Sequence, residues 1–240
     1  MRRRAYSPPL FFCNFYVSSF LVFAEPYLWR MYNLSHFKEP DEHVVVEFMK
    51  QHPFAMLIGN ADGRSVATQI PLLFEERNGK MILLGHMMKK QDHQLAFEKN
   101  PEVLVVFTGP HTYVSATWYE DPHQASTWNY VSVHARGTIS FLDEEGLKNA
   151  LRKLSLHYEN NNPHSTTVFD NLSHDYTSSL IKAIVAFEIE VKSVEHVFKL
   201  SQNRDEKSYH HIIDHLKGEG GEAADVGKMM EERKDKVFKS

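Results

Sequence analysis

"FAMLIGNADGRSVATQIPLLFEERNGKMILLGHM", Phe54 to Met87, carries three runs of β-forming residues separated by the tetrapeptides ADGR and RNGK. Asp-Gly and Asn-Gly are what short hairpin turns ask for, because both central residues sit at positive φ. The runs FAMLIGN, SVATQIPLLFEE and KMILLGHM therefore read as a meander of antiparallel strands.

Upstream, PDEHVVVEFMKQH (Pro40 to His52) opens with acidic residues suited to a helix N-terminus and carries Val44, Val45, Phe48 and Met49 on one face. Downstream, KKQDHQLAFEKNP reads as a short helix stopped by Asn100 and Pro101, and EVLVVFTG, TYVSATW and NYVSVHARGTISFL read as strands. A helix spans about Asp143 to Tyr158. The polar loop ENNNPHSTTVFD follows, then SHDYTSSLIKA as a further short helix. IVAFEIEVKSVEHVFKL alternates as a strand, and RDEKSYHHIIDHLK and EAADVGKMMEERK form two terminal helices separated by GEGG. Six or seven clustered strands predict a mainly β (α+β) fold, an antiparallel barrel with peripheral helices. No G-x-G-x-x-G and no G-x-x-x-x-G-K-[ST] occurs, so neither a dinucleotide fingerprint nor a phosphate loop is available.

The chain has 240 residues, 42% of them hydrophobic and 24% charged, with a net charge of −4. That charge argues against a broad polyanion-binding surface. The single cysteine, Cys13, allows neither an internal disulfide nor a Cys-based zinc site, and a reducing cytoplasm is the expectation. Residues 1–30 combine a basic start with an apolar run from Leu10 to Ala24, broken by Asn14, Ser18 and Ser19. The run is short for a bilayer and no small-x-small cleavage site follows. The pattern resembles a signal peptide, but the preferred reading is an N-terminal extension from a misassigned start, with Met31 as the natural first residue, followed by one domain over 31–240 and no membrane association.

Three clusters could carry chemistry. Lys89 and Lys90, at a strand exit and a helix start, suit a phosphate, although a solvated basic turn has the same look. Lys199, Ser201, Gln202, Asn203 and Arg204, in FKLSQNR, suit a polyol or phosphate, as would an ordinary polar connection. Trp128, Asn129 and Tyr130 head a strand, where rings can wall a flat ligand and an amide orient it, or all three can simply pack. His211 and His215 share a helix face at i and i+4 without the Glu of H-E-x-x-H, so a solvated face is preferred and no metal is expected. His111, His123 and His134 are scattered, and no serine has a nucleophile-elbow context.

The motifs MYNLSHF, VATQIPLLF, LLGHMMKKQ, VLVVFTGPHTYVSATWYEDP, TWNYVSVHARG and FKLSQNR, in this order, resemble the PaiB family of FMN-binding proteins, described as negative transcriptional regulators. The resemblance runs from about Met31 to the C-terminal helices. It implies the FMN-binding split barrel shared with pyridoxamine-phosphate oxidases and flavin reductases, a homodimer with FMN in the cleft between chains. On that basis Thr68 and Gln69 would line the flavin, and His86, Lys89 and Lys90 would lie near the ribityl phosphate. Lys199, Ser201 and Arg204 would approach from the C-terminal motif, and Trp128, Asn129 and Tyr130 would form cleft wall or dimer packing. The arginine that the oxidases carry in the second strand is replaced by Ala67 and Thr68, and their Arg-Leu-His appears as Lys199, Leu200 and Ser201, which puts oxidase-type substrate binding in doubt. The resemblance implies a flavin-linked regulator with a regulatory or DNA partner. A flavin-dependent oxidoreductase is the alternative, and a haem-binding barrel, hinted at by the C-terminal histidines, is a third. No helix-turn-helix or basic recognition helix is evident.

Overall fold

In the computed structural model, which describes Tyr32 and residues 34–238, both turn dipeptides take the conformation their composition demands. Asp62 and Gly63 have φ of 52° and 74°, and Asn78 and Gly79 have φ of 55° and 74°. They join β1 (Phe54–Ala61) to β2 (Arg64–Pro71) and β3 (Leu73–Arg77) to β4 (Lys80–Met88). The expected extension over residues 1–30 lies outside the described residues.

The run SVATQIPLLFEE, expected as one strand, is two. Pro71 has no N–H to offer a ladder. The Leu72 N–H turns to the Pro53 carbonyl at 3.0 Å, and the chain then leaves β1 to pair with β4. With β5 (Glu102–Val114), β6 (Thr127–Phe141) and β7 (Ile184–Lys199), the sheet order is β2-β1-β5-β6-β7-β4-β3, antiparallel throughout. The two outermost strands are thus consecutive in the chain. Leu72 closes the ring covalently, while no ladder joins β2 to β4, and this seam is where the barrel is split.

EVLVVFTG and TYVSATW, expected as two strands, are mostly one, since β5 continues through a register shift between Thr108 and His111 at Gly109-Pro110. Only its last residues depart, into a 3-10 turn at Ala116–Trp118.

Several helices begin where a side chain satisfies one of their free N–H groups. Asp41 accepts from His43 N at the start of α1 (Glu42–Gln51), Asp143 from Gly146 N at α3 (Glu144–Tyr158), and Asp205 from Ser208 N at α5 (Glu206–Glu219). The others are α2 (Asp92–Lys99), α4 (His174–Ala183) and α6 (Gly221–Phe238). Leu57, Leu83, Val105, Phe107, Val133, Phe187, Ile189 and Phe198 fill the barrel, each contributing about 1.5–3 kcal/mol by leaving water. Helix α3 covers a smaller cluster outside the barrel, around Leu84, Ile184 and Ala186. The α5–α6 hairpin packs against the main core, and the Tyr209 hydroxyl donates to the Met230 carbonyl at 2.9 Å. Among the described residues no helix is long and apolar enough to cross a membrane.

Candidate functional site

The seam between β2 and β4 opens into a groove of about 440 Å³. Thr68 and Gln69 line it from β2, His86 and Met88 from β4, and Gln91 and His93 from the start of α2. Three of the residues singled out from sequence, Thr68, Gln69 and His86, are brought together here. His86 Nδ1 is buried and has no hydrogen-bond partner, and burial pushes the imidazole below its ordinary pKa. A buried polar atom without a partner costs about 1–3 kcal/mol, which a ligand supplying that partner would return.

Lys89 and Lys90 are separated, contrary to their reading as one phosphate clamp. The Lys89 N–H donates to the Ala183 carbonyl at 2.9 Å and its Nζ to Ile181 O at 3.4 Å, capping the end of α4, and its side chain lines a different cleft with Asp143 and Glu144. Lys90 makes different contacts. Its φ is 63°, its N–H donates to Gln94 Oε1 at 2.7 Å, and its side chain is exposed beside Gln91. The left-handed residue between strand and helix is what splits the pair.

The other six residues gather at the head of β6 and the end of β7. Trp128 is 47% exposed and Tyr130 half-buried, whereas Asn129 is wholly buried. On this strand Trp128 and Tyr130 lie on the outer face and Asn129 on the inner one, as a strand's alternation requires. Asn129 sits behind the Trp128 and Tyr130 face, in buried contacts. Its amide nitrogen reaches Met230 Sδ at 3.5 Å and its oxygen accepts from the Ser201 hydroxyl at 3.0 Å. Ser201 is buried in the same contact, with φ of 62°. Lys199 Nζ donates to Thr127 Oγ1 at 2.7 Å, and burial, followed by the nearby Arg204 charge, lowers its pKa. The Arg204 guanidinium lies 4.1 Å from the centre of the Tyr119 ring and donates to the Gln124 side chain, pinning the loop that enters β6.

These two groups stand at opposite ends of β7. Ile184 borders the groove and Lys199 ends the wall, so about 50 Å of strand path separates them at 3.3 Å per residue.

Sequence reasoning missed Met88, Gln91 and His93, although all lie within eight residues of His86. It also missed an apolar outer face. Phe54 and Met56 of β1 are 60% and 37% exposed, and Met56 and Ile58 pair with Val106 and Leu104 of β5. Further along that face Trp128 leans on Tyr113 and His111. His211 sits 3.6 Å from the Glu120 carboxylate and His215 stacks on Trp118. Among the described residues no group of three or more His, Cys, Asp or Glu could hold a metal ion.

Comparison with known proteins places the chain among flavin-binding relatives. The family profile described as "Putative FMN-binding domain" matches residues 31–193. The protease synthase and sporulation protein PAI 2 of Bacillus subtilis is 32% identical over 209 residues, covering 87% of this chain and 99% of that protein. An uncharacterised protein of Saccharomyces cerevisiae is 31% identical over 109 residues, covering 42% of this chain and 64% of that protein. Among solved structures, an FAD- and haem-binding protein from Mycobacterium smegmatis superposes with a TM-score of 0.50 at 16% identity, covering 67% of this chain and 72% of that one, and shares the fold.

Proposed function

The chain belongs to the PaiB family of FMN-binding proteins, and from that membership we propose that it binds FMN at the seam groove as a homodimer and uses flavin occupancy to regulate a partner. The observation that carries the site is the orphaned His86 Nδ1, beside Thr68 and Gln69, in a groove of the size class, roughly 300–1,000 Å³, that holds cofactors. A neutral imidazole, a hydroxyl and an amide offer both donors and acceptors to a flavin's heteroatoms and ribityl hydroxyls. Lys90, exposed at the head of α2, is the cation suited to the terminal phosphate. When bound, flavin supplies hydride and electron transfer, while the chain supplies position and electrostatics.

Dimerisation is supported by the apolar face of Phe54, Met56, Ile58, Leu104 and Val106, which a soluble monomer would leave in water. A two-chain cleft would also bring the Trp128 and Tyr130 wall of one chain toward the seam of the other, which a single chain keeps far apart. The regulatory role rests on the resemblance to the PaiB family and on the sporulation-protein relative. With a net charge of −4, a protein partner in the cytoplasm fits better than direct contact with many DNA phosphates.

The test is an absorption spectrum of the purified protein and of His86→Ala, followed by titration with FMN. A flavin spectrum, with affinity at least tenfold weaker in the variant, is expected from the loss of a buried hydrogen bond. A Soret band in place of a flavin band, or a protein that takes up no added FMN, would overturn the reading. Equal FMN affinity in the two proteins would move the flavin out of this groove.

A further inference from the structure

Residues 34–40 form a strap along the end of β7. Phe37 is its buried anchor, with Tyr32 stacked on it at 5.8 Å and His36 edge-on at 4.1 Å. Two bonds to a single residue hold the strap to the barrel. Lys38 Nζ donates to the His196 carbonyl at 2.8 Å, and the Glu39 backbone N–H donates to His196 Nε2 at 3.0 Å. The Glu39 carboxylate, almost buried, accepts from Asp41 N at 3.3 Å and faces Arg233 at 3.4 Å and Lys236 at 3.8 Å on α6.

A ring nitrogen that accepts a backbone N–H cannot carry a proton, so the bond from Glu39 exists only with a neutral imidazole whose proton is on Nδ1. Protonation sets N–H against N–H. We propose that residues 34–40 are an acid-released strap, latched to the barrel by the neutral ring of His196.

The groups facing His196 are Lys38 and Glu39 on the strap, with Arg233 and Lys236 of α6 behind Glu39. The Phe198 ring lies edge-on at 5.8 Å, and Val133 is paired across the ladder. Burial, then the Lys38 charge, depresses the imidazole pKa, and Glu39 only partly opposes them. The latched state therefore binds fewer protons than the released state. Its advantage is complete above the free imidazole pKa of about 6.5 and falls as pH drops below it toward the depressed value.

The latch is tested without flavin, by hydrogen exchange of the Glu39 amide at pH 7.5 and 5.5, with intrinsic exchange rates divided out. Protection should drop by up to about tenfold at the lower pH, one unit below the free imidazole pKa, while the amides of β5 and β6 hold theirs. His196→Gln, whose side-chain oxygen accepts an N–H at either pH, should remove the pH dependence. As a measurement needing no variant, the His196 ring and Glu39 amide resonances of the wild-type protein should titrate together, with a midpoint below that of an exposed histidine. Protection of Glu39 that does not change with pH, or a drop that persists in His196→Gln, would overturn the latch and leave the flavin assignment standing.

Discussion

The Ser201 hydroxyl donates to Asn129 Oδ1 at 3.0 Å across 72 residues of sequence, and neither side chain is exposed to solvent. This contact ties the end of β7 to the head of β6 from behind, so that Trp128 and Tyr130 are held from the face opposite to the one they present. Ser201→Ala leaves the amide oxygen buried without its donor and should lower unfolding stability by about 1–3 kcal/mol. Urea denaturation measures it. FMN affinity of the folded variant should match the parent, because the pair supports the wall without forming its surface.

The two lysines before α2 should behave differently. Lys90→Ala removes an exposed cation next to the groove and should weaken FMN by about tenfold while leaving riboflavin, which lacks the phosphate, unaffected. Lys89→Ala should leave both affinities unchanged and instead loosen the end of α4, where its ammonium caps the Ile181 carbonyl. Parallel titrations with the two flavins separate the outcomes, and equal effects of the two variants would restore the joint clamp.

Met56→Asp places a charge in the centre of the apolar outer face, opposite Val106. In a dimer that buries this face the change should shift the protein to monomer at micromolar concentration, as read by light scattering or sedimentation. Far-ultraviolet dichroism should not change, since Met56 points away from the barrel core.

Acid should destabilise the fold from just below neutrality. His86, His134 and His196 all have pKa values depressed, in each case chiefly by burial. For each of them the unfolded chain binds the proton more readily. Stability is thus full above about pH 6.5 and declines as pH falls toward the folded values. Thermal unfolding between pH 7.5 and 5 should show Tm dropping through this window, and His134→Gln should flatten part of the slope.

Gly137 sits at the register shift where β6 crosses β7, and a Cβ there would run into the Glu190 carbonyl and the Ile189 side chain. Gly137→Ala should therefore cost more than an ordinary surface substitution, about 1–3 kcal/mol, because backbone rather than a movable side chain stands in the way. Chemical denaturation of the variant checks it.

Hairpins, helices and the antiparallel barrel were legible because each rests on a local rule: two residues at positive φ, acidic residues before an apolar stripe, alternation along a run. Errors arose where a local mark had a non-local meaning. Gly109-Pro110 looks like the end of a strand but marks a register shift within β5, and Pro71 sits inside an apolar run yet marks the corner where the chain changes partner. At the site, Trp128, Asn129 and Tyr130 were grouped by adjacency although a strand's own alternation sends the middle one inward. Lys89 and Lys90 were grouped for the same reason, and the left-handed backbone at Lys90 carries no sequence mark, since lysine seldom adopts it. The groove's far rim, Gln91 and His93, depends on how α2 docks over the seam, which no local pattern records.

The corner at Leu72 gives the barrel an unusual elasticity. Six of the seven junctions around the ring are hydrogen-bonded ladders, which resist widening cooperatively, whereas the seventh is one length of chain bent at Pro71 and Leu72. Spreading β2 from β4 breaks no strand ladder, and the backbone bond it loads is the one from the Leu72 N–H to the Pro53 carbonyl. The groove that holds Thr68, Gln69 and His86 therefore lies at the junction least tied by backbone hydrogen bonds, while the other six are fixed in register by their ladders.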